Sequence, residues 1–301
     1  MLLFVVPPGI EPGTHGFSVH CSTNWAKVPN VRGANLIEFL KWRKKINSYN
    51  RASFFVVLIK FKFLKLVVDI GNTCTKLALF DKKRLTKHEI IPKLSLEKTI
   101  KFCGDNKIES SIFSSVVSLC ESDYQIINFF DGLLFNNETP VPIESNYKSE
   151  IGSDRLSAVI GANYLFPNKD IWVFDAGTCL TADFITKDKV HEGGRISPGI
   201  EMRYKSLHSF TSKLPSLSLE PNSIFKGNNT NESIISGVQQ GILAEVRALI
   251  SDFRKYNNDF VVVFTGGNAS FFEKELKSSI FADQFLVLKG LNEILDYNEK
   301  D

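Results

Sequence analysis

The sequence has only five cysteines, and no two of them form the C-x-x-C pairs that are typical of zinc sites and redox centres. None of its five histidines falls in the H-E-x-x-H pattern of zinc peptidases. The G-x-x-x-x-G-K-[ST] loop of P-loop NTPases and the G-x-G-x-x-G turn of dinucleotide-binding domains are also missing. These absences exclude the corresponding classes of protein. The odd, scattered cysteines are typical of reduced thiols in the cytosol.

A long uninterrupted apolar run is missing as well. The most apolar stretch, residues 52–68, has only 17 residues and carries Lys60, Lys62 and Lys65. It is too short and too charged for a membrane-spanning helix. The opening residues MLLFVV have no basic segment before them and no small-residue cleavage pattern after them, so they are not a secretory signal. The sequence predicts a cytoplasmic protein without a membrane partner.

Acidic residues are scarce in the first fifth of the chain. Residues 1–63 contain nine Lys or Arg against two Glu, whereas residues 64–301 contain 27 Lys or Arg against 31 Asp or Glu. The net charge of +3 therefore comes from the first segment. A nucleic-acid-binding function would depend almost wholly on that segment, and we expect no nucleic-acid partner.

Residues 1–63 are predicted to be a basic, irregular leader, with a helical pattern only at 35–49 and a strand pattern only at 53–63. No Met occurs between Met1 and Met202. The leader is interpreted as an over-extended reading frame, and a translated basic tail is the alternative.

The stretch Val67–Phe80 reads VVDIGNTCTKLALF, an apolar run, a polar turn and an alternating apolar run. This pattern predicts two strands joined by a tight turn. Gly71 has no Cβ to keep an anion away from the backbone N–H groups, and the turn adds side-chain donors, among them Lys76. Asp69, at the end of the first strand, suits a hydrated Mg²⁺. Alone, the pattern is also that of an ordinary hairpin.

The same arrangement occurs about a hundred residues later, in Val173–Ile185, which reads VFDAGTCLTADFI. A third glycine turn, Thr-Gly-Gly at residues 265–267, follows a β-branched run and precedes a helical pattern, which suits a nucleoside or phosphate at a helix N-terminus. Internal similarity of this kind predicts two related halves. The matching residues are Asp69, Gly71 and Thr73 in the first turn and Asp175, Gly177 and Thr178 in the second.

Strands followed by helices, twice over, predict an α/β protein with mixed sheets flanked by helices. Pro140 and Pro142 mark the join between the halves. The predicted domains are therefore an N-terminal one at residues 64–144 and a C-terminal one at residues 145–301.

Asp154 and Arg155 end the segment YKSEIGSDR and lie at the predicted start of a helix. An Asp in this place is most often a helix cap or dipole partner. Phosphoryl transfer to an alcohol, however, needs one carboxylate to accept the hydroxyl proton, and Arg155 could hold an anionic acceptor that approaches the backbone at Gly152. On the residues alone, both interpretations stay open.

Two later segments are candidate ligand contacts. The stretch VHEGGRISPG reads as a strand followed by a glycine turn, whose Gly193 and Gly194 are either substrate contacts or plain loop residues. Thr230 precedes a long helical pattern. Either Thr230 or Asn231 caps that helix, or Thr230 donates its hydroxyl to a ligand.

Taken together, these motifs resemble the type III pantothenate kinases, bacterial members of the superfamily of sugar kinases, actin and heat-shock chaperone ATPases. The resemblance covers about residues 64–301 and none of the leader. It implies two related actin-like ATPase domains, and transfer of the ATP γ-phosphoryl to pantothenate to give 4′-phosphopantothenate, the first step of coenzyme A biosynthesis. The motifs that carry it are DIGNTCTK at 69–76, GSDR at 152–155, DAGTCLTAD at 175–183, GGRISPG at 193–199 and TGG at 265–267.

The resemblance also implies roles for individual residues. Asp154 would be the catalytic residue that accepts the proton of the pantothenate hydroxyl. Asp175 would bind a monovalent cation, K⁺ or NH₄⁺, and Asp69 would hold Mg²⁺ through the phosphates. The implied ATP contacts are Asp69, Ile70, Gly71, Asn72, Thr73, Cys74, Thr75, Lys76 and Thr178. The implied pantothenate contacts are Tyr147, Gly152, Ser153, Asp154, Arg155 and Thr230.

Members of this family are homodimers whose acceptor site lies near the subunit interface, so a homodimer is implied, with Thr230 acting across it. The segment from Tyr147 to Gly152 is a couple of residues shorter than is usual in the family. Two alternatives remain. One is a non-catalytic transcriptional accessory protein on the same fold, expected to lack the base at Asp154, and the other is a nucleic-acid-binding protein that uses the leader.

Overall fold

The structure, a computed structural model, describes residues 2–6, 55–59, 63–276 and 280–299. The chain divides into two compact units, Met1–Phe61 and Lys62–Asp301, and each is described by itself.

In the unit Met1–Phe61, strand β1 (Leu2–Val6) pairs antiparallel with strand β2 (Phe55–Ile59). Both are rich in Val, Leu and Phe, which suits a strand. β2 lies inside the strand predicted at 53–63, whereas β1 differs from the irregular chain predicted around it. The helix predicted at 35–49 lies outside the described residues.

The first sheet of the unit Lys62–Asp301 is mixed. Its first three strands form an antiparallel meander, and the last two run parallel to the first of these, in the spatial order β5-β4-β3-β6-β7. The parallel crossovers contain helices, as parallel pairing requires. The strands are β3 (Phe63–Ile70), β4 (Thr75–Asp81), β5 (Arg84–Ile91), β6 (Lys107–Ser115) and β7 (Leu133–Leu134), and the helices are α1 (Leu96–Cys103) and α2 (Glu121–Phe129).

The second sheet repeats this plan and adds one short edge strand. An antiparallel meander, β9-β10-β11, is followed by β12, which is parallel to β9, and β13, which is parallel to β12. The spatial order is β13-β12-β9-β10-β11-β8. The strands are β8 (Glu144–Ser145), β9 (Asp170–Ala176), β10 (Cys179–Ile185), β11 (Val190–Pro198), β12 (Phe260–Thr265) and β13 (Phe281–Ala282).

Five helices accompany the second sheet. They are α3 (Ser153–Leu165), α4 (Ile200–Ser209), α5 (Thr230–Arg254), α6 (Ala269–Leu276) and α7 (Leu286–Asn298). The predicted fold class is thereby confirmed: this is an α/β protein with two related halves, each a mixed sheet flanked by helices. The division into domains between residues 144 and 145 stays a prediction.

Two local predictions were wrong. Asn229, rather than Thr230 or Asn231, caps α5, and its side chain accepts a hydrogen bond from the backbone N–H of Glu232 at 3.0 Å. Gly193 and Gly194 lie inside strand β11 and not in a turn. A Cβ on Gly194 would lie 2.1 Å from the carbonyl oxygen of Ala182, so glycine is needed there for β11 to approach β10 closely.

Helices α3 and α7 lie in a core that both sheets share. Val159 of α3 and Leu291 of α7 are fully buried and belong to one apolar cluster with Val67 of the first sheet and Val173 of the second. Because residues 155–163 of α3 are all buried, it is an interior helix rather than a surface one. Its position is therefore fixed by the packing of both sheets.

The two helices cross where each has a glycine. A Cβ on Gly290 of α7 would lie 1.8 Å from the carbonyl oxygen of Ser157 in α3, and a Cβ on Gly161 of α3 would lie 2.4 Å from the carbonyl oxygen of Leu286 in α7. The backbones are thus in direct contact.

None of the helices in the described parts of the chain combines the length and apolar character needed to cross a membrane.

Candidate active site

The two polar turns that the sequence predicts to be related lie against each other. The hydroxyl oxygens of Thr73 and Thr178 are 3.3 Å apart. The glycine of each turn donates its N–H across the turn, Gly71 to the carbonyl oxygen of Cys74 and Gly177 to the carbonyl oxygen of Cys179, each at 3.0 Å. The second turn is one residue shorter than the first. The two turns, one from each half, therefore form one surface of backbone and hydroxyl groups.

Side chains of the first turn are arranged by depth. Asn72 and Thr73 are exposed at the tip, whereas Ile70 and Thr75 are buried at the strand ends. The remaining predicted ATP contacts, Gly71, Cys74 and Lys76, are partly buried beside them.

Asp69 is buried at the end of β3, with its Oδ2 atom 3.7 Å from Nζ of Lys76. Its other carboxylate oxygen, Oδ1, has no hydrogen-bond partner in the described parts of the chain. Burial raises the pKa of Asp69 above its ordinary value of 3.8, Lys76 opposes this shift, and the nearby carboxylate of Asp154 adds to it. A buried carboxylate oxygen without a partner fits a cation or its water ligand.

Asp175, which corresponds to Asp69 in the second half, faces the same space. Burial raises its pKa from 3.8 to about 6, against the attraction of Lys76 and helped by repulsion from Asp154, Asp69 and Asp183. Several carboxylates and one lysine thus share one site, and this site is short of positive charge.

The shift predicts how stability depends on pH in the absence of ligands. Because the pKa of Asp175 is raised on folding, its ionised form destabilises the native state above about pH 6, and the effect disappears below about pH 4. Asp175→Asn should therefore raise the free energy of unfolding at pH 8 by on the order of 2 kcal/mol relative to its effect at pH 4. Urea titrations of both proteins in a buffer free of K⁺, Mg²⁺ and nucleotide measure this, and a pH-independent difference would contradict it.

The second turn is enclosed by two further glycine segments. Gly266 has a φ of +89° and a Cβ there would lie 2.4 Å from Oδ1 of Asp175, while a Cβ on Gly199 would lie 2.4 Å from the carbonyl oxygen of Gly177. Both glycines are needed for this close contact, since a side chain at either would collide with the turn. The predicted Thr-Gly-Gly and Pro-Gly motifs therefore form walls of the site.

No group of three His, Cys, Asp or Glu side chains close enough to hold a metal ion by themselves occurs in the parts of the chain that the structure describes. Mg²⁺ in phosphoryl-transfer sites is usually bound through one or two carboxylates together with the phosphates of the nucleotide. The Asp69 carboxylate fits a site of that kind.

Asp154 lies in the first turn of α3 and is partly exposed. Its Oδ1 atom accepts a hydrogen bond from the backbone N–H of Arg155 at 2.7 Å. Ser153, just before it, accepts a hydrogen bond from Ser114 at 2.8 Å and donates one to the carbonyl oxygen of Ser115 at 3.2 Å. The start of α3 is thus attached to the end of β6 in the first sheet.

Beside this attachment lies a cleft of about 280 Å³. Its walls include Gly152 and Ser153 from the helix start, together with Ser115, Asn137 and Leu156. The cleft is therefore adjacent to Asp154 and large enough for part of a small molecule.

Arg155 is buried and makes two parallel hydrogen bonds to Asp183, from Nε to Oδ2 at 2.9 Å and from Nη2 to Oδ1 at 2.6 Å. Its Nη1 atom donates to the hydroxyl of Tyr147 at 3.3 Å. His191 places its Nε2 atom 2.9 Å from Oδ1 of Asp183. Burial raises the pKa of Asp183, but the hydrogen bonds from His191 and Arg155 outweigh it and hold this pKa below 3.8.

Asp183 and His191 are residues that the sequence reasoning assigned no role. Asp183 ends the DAGTCLTAD motif, and a signal for it was present, because a carboxylate within an otherwise apolar strand requires a buried partner. No such signal marks His191, whose neighbours along the chain are exposed or small.

Thr230 is the one predicted site residue that the structure places apart. It lies at the first turn of α5 and lines a cleft of about 850 Å³, together with Arg203, Leu214 and Gly237. The other predicted site residues, all of which lie in the described part of the chain, do not line this cleft.

Comparison with known proteins supports the resemblance that the sequence motifs indicate. The family model of type III pantothenate kinase matches residues 65–252. A type III pantothenate kinase from Phocaeicola vulgatus is 42% identical over 241 residues, which cover 79% of this chain and 100% of the relative. One from Bacteroides fragilis is 38% identical, covering 78% of this chain and 98% of the relative.

Among solved structures, a protein described as a Baf family transcriptional activator from Campylobacter jejuni is similar in fold, with a TM-score of 0.53 and 22% identity. The match covers 78% of this chain and 100% of that one. At this identity the likeness concerns the fold alone. The family match and the relatives above 30% identity establish more: the chain belongs to the type III pantothenate kinase family.

Proposed function

We propose that the protein transfers the γ-phosphoryl group of ATP to the primary hydroxyl of pantothenate, giving 4′-phosphopantothenate in the first step of coenzyme A biosynthesis. The observation that carries this proposal is the contact between the turns at Thr73 and Thr178, which brings two sets of phosphate-binding groups together. Asp154, which a non-catalytic relative would be expected to lack, is present and electrostatically coupled to both turns.

ATP is assigned to the surface that the two turns form. The backbone N–H groups at the tip of the first turn, residues 72–74, and the hydroxyls of Thr73 and Thr178 can donate to phosphate oxygens, and Lys76 adds a positive charge. Asp69 would hold Mg²⁺ through the phosphates. When bound, Mg²⁺ neutralises phosphate charge and orients the transferred group.

Pantothenate is assigned to the space at the start of α3. Asp154 accepts the proton of the attacking hydroxyl, since its carboxylate is partly exposed and faces the turns. Arg155 and Tyr147 bind the anionic end, while Gly152 and Ser153 line the adjacent cleft. Because transfer proceeds with little covalent chemistry for the protein to perform, positioning and charge supply most of the rate.

Asp175 is the proposed ligand of a monovalent cation, K⁺ or NH₄⁺. Burial raises the pKa of its partly exposed carboxylate, and repulsion from Asp154, Asp69 and Asp183 adds to this shift, so the site lacks positive charge. A cation at this place would supply it.

Thr230 is proposed to act from a second subunit of a homodimer. Within one chain it lines a different cleft from Gly152 and Ser153, and a partner chain is the simplest way to bring it to them. A cytoplasmic location is proposed from the cysteines at 74, 103, 120 and 179, which carry free thiols.

The full chain should release ADP only when pantothenate is present, and faster in potassium than in sodium buffer. A coupled ADP-release assay at fixed ATP and Mg²⁺ measures both dependences. Asp175→Ala should lose the activation by potassium while keeping its fold, because it removes the proposed cation ligand. Cation dependence unchanged in Asp175→Ala would place the cation elsewhere, and no pantothenate-dependent turnover in a folded protein would overturn the proposed function.

A further inference from the structure

Arg155 is held by a buried pair of residues that take no direct part in the proposed reaction. We name this pair, Asp183 on β10 and His191 on β11, the His–Asp clamp. His191 is fully buried, and Asp183 is 2% exposed. Asp183 contacts Arg155 along one edge of the guanidinium, and the Oδ1 atom that accepts from Nη2 of Arg155 is also the atom that His191 contacts.

The clamp leaves part of the guanidinium for a ligand. A guanidinium has five N–H donors. Asp183 takes two of them and the hydroxyl of Tyr147 takes one. The other two, one on Nη1 and one on Nη2, have no partner among the described residues. Donors on two neighbouring guanidinium nitrogens can bind the two oxygens of one carboxylate.

His191 connects the two groups that contact Arg155. Its Nε2 atom lies 2.9 Å from Asp183, and its Nδ1 atom lies 3.0 Å from the hydroxyl oxygen of Ser145. A ring with its proton on Nε2 satisfies both contacts. The ring also stacks on Tyr147, with centroids 6.0 Å apart and 25° between the planes. A substitution of His191 would therefore remove contacts of both Asp183 and Tyr147.

Two glycines allow this packing. A Cβ on Gly194 would lie 2.6 Å from Oδ1 of Asp183, and one on Gly193, whose φ is +99°, would lie 3.5 Å from Cδ2 of Tyr147. Gly193 and Gly194 thus bring β11 against the groups that hold Arg155.

The clamp also decides which carboxylate Arg155 binds. Asp69, Asp154 and Asp175 lie in the same charged site, and each would attract a guanidinium that was free to move. An Arg155 that paired with Asp154 would neutralise the base and leave the anionic end of the acceptor unbound. The two hydrogen bonds from Arg155 to Asp183 oppose such a pairing.

We propose that Asp183 and His191 are positioning residues that fix Arg155 for the carboxylate of the acceptor, and so set the preference for an acidic acceptor over a neutral one. The inference rests on the proposed function. It adds two residues, Asp183 and His191, through which the protein distinguishes a negatively charged acceptor from a neutral one.

The test compares pantothenate with its carboxamide analogue, in which only the carboxylate is replaced by a neutral group. The wild-type full chain should prefer the acid by kcat/KM, and Asp183→Asn should reduce that preference by about tenfold or more, since a charge-assisted bidentate contact is lost. The loss should appear in the KM for pantothenate, while the KM for ATP stays unchanged.

Two further variants complete the design. His191→Leu leaves the Arg155–Asp183 pair in place but removes the donor to Asp183, so it should lower the preference in the same direction and by a smaller factor. It also carries the test if Asp183→Asn fails to fold. Glu192→Gln changes the same charge at the neighbouring, exposed residue and should leave the preference unchanged.

The outcomes separate the two hypotheses. A wild-type protein without pantothenate-dependent ADP release overturns the proposed function, and the inference with it. An active wild type whose folded Asp183→Asn and His191→Leu variants lose rate equally on the acid and the carboxamide overturns the inference alone, because a purely structural role would reduce both.

Discussion

Asp154→Asn should fold normally and lose on the order of 10²-fold or more in kcat, as expected for removal of a general base. The asparagine oxygen can still accept the N–H of Arg155 that Oδ1 of Asp154 now accepts, so the helix start keeps its hydrogen bond. The substitution also removes a negative charge that raises the pKa values of Asp69 and Asp175, so the ligand-free protein should be no less stable than the wild type.

Steady-state kinetics with both substrates varied, together with circular dichroism, measure this. The KM for ATP should stay within a few-fold, since Asp154 is not among the groups assigned to the nucleotide. The matched control is Glu150→Gln, which makes the same change of charge four residues earlier at an exposed position and should keep full activity. Near-normal turnover in Asp154→Asn would mean that another group takes the proton.

Gly290→Ala should be among the most destabilising single substitutions, lowering the free energy of unfolding by about 3 kcal/mol or more, the upper end of the range for overpacked cores. The new Cβ would lie 1.8 Å from the carbonyl oxygen of Ser157 and 2.6 Å from its carbonyl carbon. Because these are backbone atoms of a buried helix, no side chain can move aside, and α3 and α7 must separate. Urea denaturation of the full chain measures the loss.

Activity should fall together with stability in this variant, because α3 also carries Asp154 and Arg155. Gly241→Ala is the control, since a Cβ on Gly241 in α5 meets no atom within 4 Å. Alanine is preferred over glycine inside a helix by about 0.5–1 kcal/mol, so this control should be as stable as the wild type or slightly more. Equal stability of Gly290→Ala and the wild type would show that α3 and α7 can move apart at little cost in free energy.

Much of the fold follows from local patterns in the sequence. The strand–turn–strand units around Gly71 and Gly177 and the strand before Thr265 occur where apolar runs and glycine turns predict them. Local patterns failed where long-range packing decides. Gly193 and Gly194 signal a turn by residue type, yet close approach to β10 makes them part of a strand.

The candidate site was predicted in the same uneven way. Asp69 and Lys76 belong to one short motif, and the spacing within that motif is enough to predict that they lie close together. The contact of Arg155 with Asp183 joins residues 28 positions apart, and that of Ser145 with His191 joins residues 46 apart. No local period marks such pairs, since they depend on how strands β8, β10 and β11 are arranged in the sheet.

The crossing of α3 and α7 has a consequence for how the protein is made. Ser157 leaves the ribosome long before Gly290, so α3 is synthesised well ahead of the helix that covers it. Contacts of such high sequence separation form late and slow folding. A nascent chain that has completed every residue of the candidate site therefore still lacks α7, which packs against the helix that carries Asp154 and Arg155. Premature termination before residue 286 should therefore yield a chain that chaperones and proteases treat as unfolded.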